Sequence, residues 1–155
     1  MKKTIIVFSG DLDKVLAAFV IANGAAAMGD EVVMFFTFWG LNALRRPEKV
    51  STKKGFLQAM FGWMMPRGAD RLGLSKMNFG GAGAKMMKIV MKQARVDPLP
   101  EMIKIAMEQE IKMIACTMSM DVMGLAREEL IDGIDYAGVA SYLGEADEAN
   151  VNLFI

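Results

Sequence analysis

Among residues able to do covalent chemistry, Cys116 stands alone: it is the single cysteine in 155 residues, and the chain has no histidine. A cysteine–histidine pair for acyl transfer is therefore excluded. One thiol can build neither a dithiol redox couple nor a multi-cysteine zinc site. What remains is chemistry that needs one sulfur, such as holding a persulfide or forming a mixed disulfide with a partner. Cys116 closes the apolar run Ile111-Lys112-Met113-Ile114-Ala115 and opens Thr117-Met118-Ser119-Met120-Asp121. This sets the thiol at a strand-to-helix junction, where helix N-terminal amides hold anions and lower a thiol's pKa. Such strand ends are also where α/β folds place their ligand crevices. The competing reading is inert packing, because free cysteine commonly serves as a small buried hydrophobe.

Other constellations carry less. Ser9-Gly10-Asp11-Leu12-Asp13 sits where a phosphate would bind, but two carboxylates repel an anion, and Asp11 reads more simply as a helix N-cap. Gly80-Gly81-Ala82-Gly83-Ala84-Lys85 lacks the P-loop spacing and the hydroxyl residue after the lysine. Methionines cluster near the cysteine at Met113, Met118, Met120 and Met123, which suits a surface that repacks around partners. Without a compact array or histidine support they do not define a copper site, so no metal and no cofactor is expected.

The elements that must position Cys116 alternate along the chain. Thr4-Ile5-Ile6-Val7-Phe8 and Glu31-Val32-Val33-Met34-Phe35-Phe36 are short apolar runs of the kind buried on both faces of a parallel sheet. Between them, Leu12, Val15, Leu16, Phe19, Ala22 and Ala26 recur at helical spacing. After Pro98 and Pro100, the positions Leu99, Met102, Ile103, Ala106 and Met107 mark a further helix that feeds the strand ending at Cys116. A helix over residues 122–130, a strand over 134–139, a helix over 141–148 and a strand over 151–155 complete the pattern. The reading is one α/β domain, a three-layer α/β/α sandwich around a mainly parallel sheet of about five strands, with a helical insertion.

Residues 45–95 break the rhythm. They hold twelve basic residues against only Glu48 and Asp70, a balance of +10, so the rest of the chain is −10 although the formal net charge is zero. Seven of the sixteen methionines lie here, with Phe56, Phe61, Trp63 and Phe79, which makes the segment both cationic and adhesive. A helix over residues 56–65, a glycine-rich loop over 67–83 able to hinge, and a helix over 84–95 with Lys85, Lys88 and Lys92 on one face are expected. Insertions of this length are commonly functional. Its basic face fits the acidic frame of a neighbouring subunit, another protein or, less well, an anionic membrane surface. Lys85, Lys88 and Lys92 are the expected partner-docking residues.

With 54% hydrophobic and 23% charged residues, the chain is expected to be ordered and globular. Lys2 and Lys3 precede an apolar stretch, but Asp11, Asp13 and Lys14 interrupt it before it reaches the length of a secretory signal. Residues 15–28, broken by Asn23 and Gly24, fall short of the roughly 20 that a membrane span needs. One cysteine offers no disulfide framework, which agrees with a reducing compartment. A cytoplasmic homo-oligomer is expected, and nucleic acid is not among the expected partners.

The opening Lys3-Thr4-Ile5-Ile6-Val7-Phe8-Ser9-Gly10-Asp11-Leu12-Asp13-Lys14, the insertion after Phe36-Phe38-Trp39-Gly40-Leu41, and Cys116-Thr117-Met118-Ser119-Met120-Asp121-Val122-Met123-Gly124 together resemble the DsrE/DsrF-like sulfur-relay family, in its larger branch with a long central insertion. The resemblance spans essentially the whole chain, and the cysteine segment is its most specific part. It implies an α/β/α fold, oligomers, and a single cysteine that accepts sulfane sulfur and passes it between carriers such as rhodanese-like and TusA-type proteins. That role falls on Cys116. Thr117, Met118 and Ser119 are the anion-stabilising positions, and Asp121 should point away or cap the helix. The second cysteine of some sulfur-relay relatives has no match here. A non-catalytic adaptor with a structural cysteine is the alternative.

Overall fold

The short apolar runs become strands because nearly every residue in them is buried, which only a sheet covered on both faces can achieve. In the computed structural model, which describes residues 1–155, β1 (Lys2–Val7), β2 (Glu31–Phe36), β3 (Lys112–Cys116), β4 (Asp135–Ala137) and β5 (Val151–Phe154) form one sheet in the order β4-β3-β2-β1-β5. Every pair is parallel. The helices are α1 (Leu12–Ala27), α2 (Phe56–Met64), α3 (Ala82–Gln93), α4 (Leu99–Glu108), α5 (Thr117–Met123) and α6 (Val139–Asp147).

Strand order decides which helix covers which face. From β1 through β2 and β3 to β4 the chain steps in one direction, and right-handed crossovers then stack α1, α4 and α5 on one side. The step from β4 back to β5, beyond β1, runs the other way, so α6 falls on the opposite face. The main core lies under α1 and α4, where Val15, Phe19 and Ala22 meet Val7, Met34 and Phe36, and Leu99, Ile103 and Ala106 close the layer. A smaller core beneath α6 holds Val33, Phe35, Ile114, Cys116 and Tyr142.

Close approach of the β2 exit to β1 requires glycine. A Cβ on Gly40 would lie 2.1 Å from the Val7 carbonyl oxygen, and the Gly40 N–H donates to Phe8 O at 3.0 Å.

The helix after Cys116 differs from the expected one over 122–130. It starts immediately after the cysteine and stops at Met123, because Gly124 takes a left-handed conformation, φ 66°. Leu125 N–H then donates to Met120 O and Gly124 N–H to Asp121 O, the paired bonds of a Schellman termination. Residues 127–129 form only a short 3₁₀ turn.

The insertion keeps its two expected helices. Its glycine-rich stretch, expected as a long loop, is crossed by 3₁₀ turns at Ala69–Arg71 and Phe79–Gly81 and is tied to the start of α1. Leu12 N–H donates to Gly73 O at 2.7 Å, and Ser75 donates to the Asp13 carboxylate through both its amide and its hydroxyl, at 2.8 and 2.6 Å. No helix is long and apolar enough to cross a membrane.

Candidate functional site

Parallel strands end at one edge of the sheet, so β1, β2, β3 and β4 deliver their following residues to a common rim. Register fixes the neighbours: Phe36 pairs with Ala115 and Cys116 with Ala137. Thr37, one residue beyond β2, therefore lies beside the start of α5. Its Oγ1 is 2.6 Å from Ser119 Oγ, and Ser119 is fully buried. The Ser119 hydroxyl thus ties the cysteine helix to the end of β2. Sequence reading missed Thr37; its only signal was a small polar residue directly after a buried strand, the same position that Cys116 and Thr117 occupy on β3.

Cys116 is the N-cap residue of α5, with φ −69° and ψ 113°. The residue is only 2% exposed. Alternation along β3 turns its side chain to the face covered by α6, into the cluster with Phe35, Ile114 and Tyr142. The Tyr142 ring stands 5.1 Å from that of Phe35, and its hydroxyl is 3.2 Å from Thr4 Oγ1. Of the three residues after the cysteine, Met118 is exposed, Thr117 half-buried and Ser119 buried. Asp121 is exposed and its carbonyl, not its carboxylate, is engaged, accepting from Gln58 Nε2 at 3.3 Å.

Along the same rim lies a cleft of about 400 Å³ lined by Phe8, Ser9, Gly10, Asp11, Lys14 and Trp39 among others. Asp11 occupies the N-cap position of α1, but its side chain makes no cap bond. Its carboxylate pairs instead with Lys14 at 3.1 Å, and the Asp11 amide donates to Ser9 Oγ. The expected side-chain cap is thus replaced by an ion pair one turn along the helix.

The insertion reaches the cysteine helix through α2. Phe61 stacks on Trp39 with ring centroids 6.1 Å apart, and Gln58 packs against the end of α5, where a Cβ on Gly124 would come within 2.6 Å of the Gln58 Cβ. Buried charge holds α2 there. Arg45, wholly buried, donates from its guanidinium to the carbonyls of Gly62 and Pro66, each at 3.2 Å, near the C-terminal end of α2. Lys54 Nζ lies 2.5 Å from Glu129 Oε2, and that carboxylate is 1% exposed. Burial, and then the nearby Arg67, push the Arg45 guanidinium below its ordinary pKa, while Glu129 opposes the shift.

Lys85, Lys88 and Lys92 lie elsewhere. Lys88 and Lys92 border a cavity of about 320 Å³ whose other walls include Leu12 of α1 and Leu99 of α4, on the face of the sheet opposite α6, while Lys85 borders a separate cleft with Met64, Leu72 and Gly80. Lys88 is paired with Asp70 at 2.9 Å. The structure therefore gathers Cys116, Thr117, Met118 and Ser119 at one strand end and leaves the three lysines apart from them.

A parallel α/β sandwich with one strand-end cysteine and a helical insertion after its second strand defines a class of small single-thiol domains. Residues 1–154 match the DsrE/DsrF/DrsH-like family, and the chain belongs to it. It is 61% identical over 154 residues to the protein YrkE of Bacillus subtilis (strain 168), covering 99% of this chain and 96% of that one. It is 38% identical over 159 residues to the sulfur carrier protein DsrE2 of Allochromatium vinosum, covering 99% of this chain and 98% of the relative. Among solved structures, the YchN protein of E. coli shares the fold with a TM-score of 0.57 at 14% identity, over 100% of both chains. MTH1491 of Methanobacterium thermoautotrophicum does so with a TM-score of 0.56 at 13% identity, over 99% of this chain and 98% of its own.

Proposed function

We propose that the protein is a cytoplasmic, homo-oligomeric sulfur carrier in which Cys116 takes up sulfane sulfur and passes it on. The observation that carries this reading is the placement of the chain's one thiol at the end of β3, as N-cap of α5. Membership of the DsrE/DsrF/DrsH-like family and the likeness to a sulfur carrier protein support it. The Cys116 thiolate attacks the outer sulfur of a donor persulfide; a new S–S bond forms, the donor's S–S bond breaks, and the donor leaves as a thiolate. Cys116 then holds Cys-S-S⁻, stabilised by the amides of Thr117, Met118 and Ser119. An acceptor thiolate attacks the outer sulfur and releases the Cys116 thiolate, so no net oxidation or reduction occurs. Donor and acceptor are carriers of the rhodanese-like or TusA type, recruited by Lys85, Lys88 and Lys92.

Intact mass spectrometry after incubation with a persulfide donor tests the carrier role. The expected result is added sulfur that reductant removes and that Cys116→Ser abolishes. A native protein that gains no sulfur refutes it. The recruitment is tested with Lys85→Glu combined with Lys92→Glu, which leaves the Lys88–Asp70 pair in place. Transfer from a protein donor should slow while uptake from a small polysulfide is unchanged; equal loss with both donors refutes docking at these lysines.

One observation favours a second reading, an oligomeric adaptor whose cysteine is structural: Cys116 is buried with apolar neighbours. Alkylation that succeeds only after unfolding would select it.

A further inference from the structure

α3 is set off from the core. Of its 12 residues only Gly83 and Ala84, near its start, are buried. Its C-terminal half borders the cavity of about 320 Å³ instead of packing onto α1 and α4. Leu12 and Leu99, each 2% exposed, form the floor of that cavity, and Met91, Val96, Pro98 and Pro100 line its sides.

The end of α3 holds this wall in place. Val96 N–H donates to Met91 O and Arg95 N–H to Lys92 O, the two bonds of a Schellman termination. The left-handed position falls on Arg95, φ 57°, where glycine is the usual residue. The motif brings Met91 and Val96 to one side of the helix end, and both line the cavity. Pro98, φ −67°, then fixes the turn into α4. Hydrogen-bonded backbone and a proline, not a loose loop, therefore frame the gap.

Its chemistry is that of a site for one small amphiphile. No hydroxyl or amide side chain lines it, so it offers nothing to orient a sugar or a nucleoside. The charged residues on its border are Asp70, Lys88 and Lys92. Lys88 is neutralised by Asp70 at 2.9 Å, whereas Lys92 is exposed and forms no ion pair. Arg95 and Asp97, exposed beside the rim, are of opposite sign. One positive charge is thus left at the mouth of an apolar chamber. Small-molecule sites share this build, apolar walls with a few charged groups that fix orientation, from roughly 300 Å³ upward.

We propose that the cavity binds a free straight-chain aliphatic carboxylate of about ten carbons, its alkyl body between α3 and the α1–α4 layer and its carboxylate on Lys92. The length follows from the volume: at about 30 Å³ for each water-sized group, the space takes roughly ten methylene or methyl groups. The proposal goes beyond the carrier reading, since it concerns the face of the sheet opposite α6 and does not depend on what Cys116 holds.

Isothermal titration calorimetry of the full chain with hexanoate, octanoate and decanoate, each below its micelle concentration, tests it without reference to sulfur. One molecule per chain should bind, about three- to fourfold more tightly for each added methylene. Decyltrimethylammonium, with the same chain length and the opposite charge, should bind at least about tenfold more weakly than decanoate. Lys92→Met should weaken decanoate about tenfold and leave decanol unchanged. Met91→Trp, which fills the chamber from a half-buried position, should abolish decanoate binding while circular dichroism stays native. No saturable uptake of decanoate, an affinity flat with chain length, equal binding of the cationic chain, or full affinity in either variant overturns the proposal. Binding to phosphatidylglycerol vesicles without uptake of free decanoate overturns it as well, because the ligand would then be a lipid surface.

Discussion

Thr37 and Ser119, 82 residues apart in sequence, join the end of β2 to the first turn of α5 through a hydroxyl pair at 2.6 Å. Because Ser119 is fully buried while Thr37 is half-buried, the Ser119 hydroxyl has Thr37 in place of water. Removing the Thr37 hydroxyl leaves that of Ser119 unsatisfied, and removing the Ser119 hydroxyl takes away the bond, each at a cost of about 1–3 kcal/mol. Ser119→Ala and Thr37→Val should each destabilise by that order in urea unfolding, and the double variant should lose clearly less than the sum. Strictly additive losses would disprove the coupling.

Tyr142 packs into the apolar layer that contains Cys116. Tyr142→Ala should lower stability by about 3 kcal/mol through the cavity it leaves. Local opening over the thiol should become more frequent, and the native reaction of Cys116 with a thiol reagent should speed up by about tenfold or more. Unchanged reaction rates would place the route to the thiol somewhere other than under α6.

Glu129 is the buried counter-charge to Lys54 at 2.5 Å, with Arg45 and Arg67 each at 3.9 Å. Glu129→Ala leaves these cations uncompensated and should cost about 3–5 kcal/mol. Lys54→Met should cost less, since two arginines still face the carboxylate. Chemical denaturation of both variants checks the order, and a larger loss for Lys54→Met would contradict it.

Burial acts to raise the Asp13 carboxyl, but the hydrogen bonds from Ser75 outweigh it and hold the group below its ordinary value of 3.8. A folded-state pKa below the unfolded one adds stability that is fully present above the unfolded value and is lost as pH falls through the folded value. The tie between the 72–78 loop and α1 should therefore weaken only in acid. Urea melts between about pH 6 and about pH 2 should show a shallower acid loss for Asp13→Asn than for the wild type. Parallel curves would remove Asp13 from the acid response.

The sheet was legible because β1, β2 and β3 are continuous apolar runs, and Cys116 was legible as a strand-end residue because a polar, helix-forming stretch follows it. The direction of its side chain was not. A strand buried on both faces has no polar alternation, so nothing in Lys112–Cys116 tells which layer the thiol joins; that follows from strand order and the placement of α6. α5 differs in extent from the helix expected over 122–130 because Gly124, inside that span, takes a left-handed conformation that ends the helix. Asp11 followed the N-cap pattern in type and position, yet Lys14, one turn on, competes for the carboxylate. The Thr37–Ser119 pair depends on register between distant strands, which local sequence does not encode.

The position of α6 and β5 in the chain also sets the order in which the thiol disappears from solvent. Thr4 and Tyr142, whose hydroxyls meet, are 138 residues apart, and closing a contact at such separation is entropically costly and slow. During synthesis β1, β2 and β3 emerge well before the segment that covers their outer face. Cys116 is therefore open to reagents and donors in the incomplete chain, and its seclusion dates from the docking of the final helix and strand.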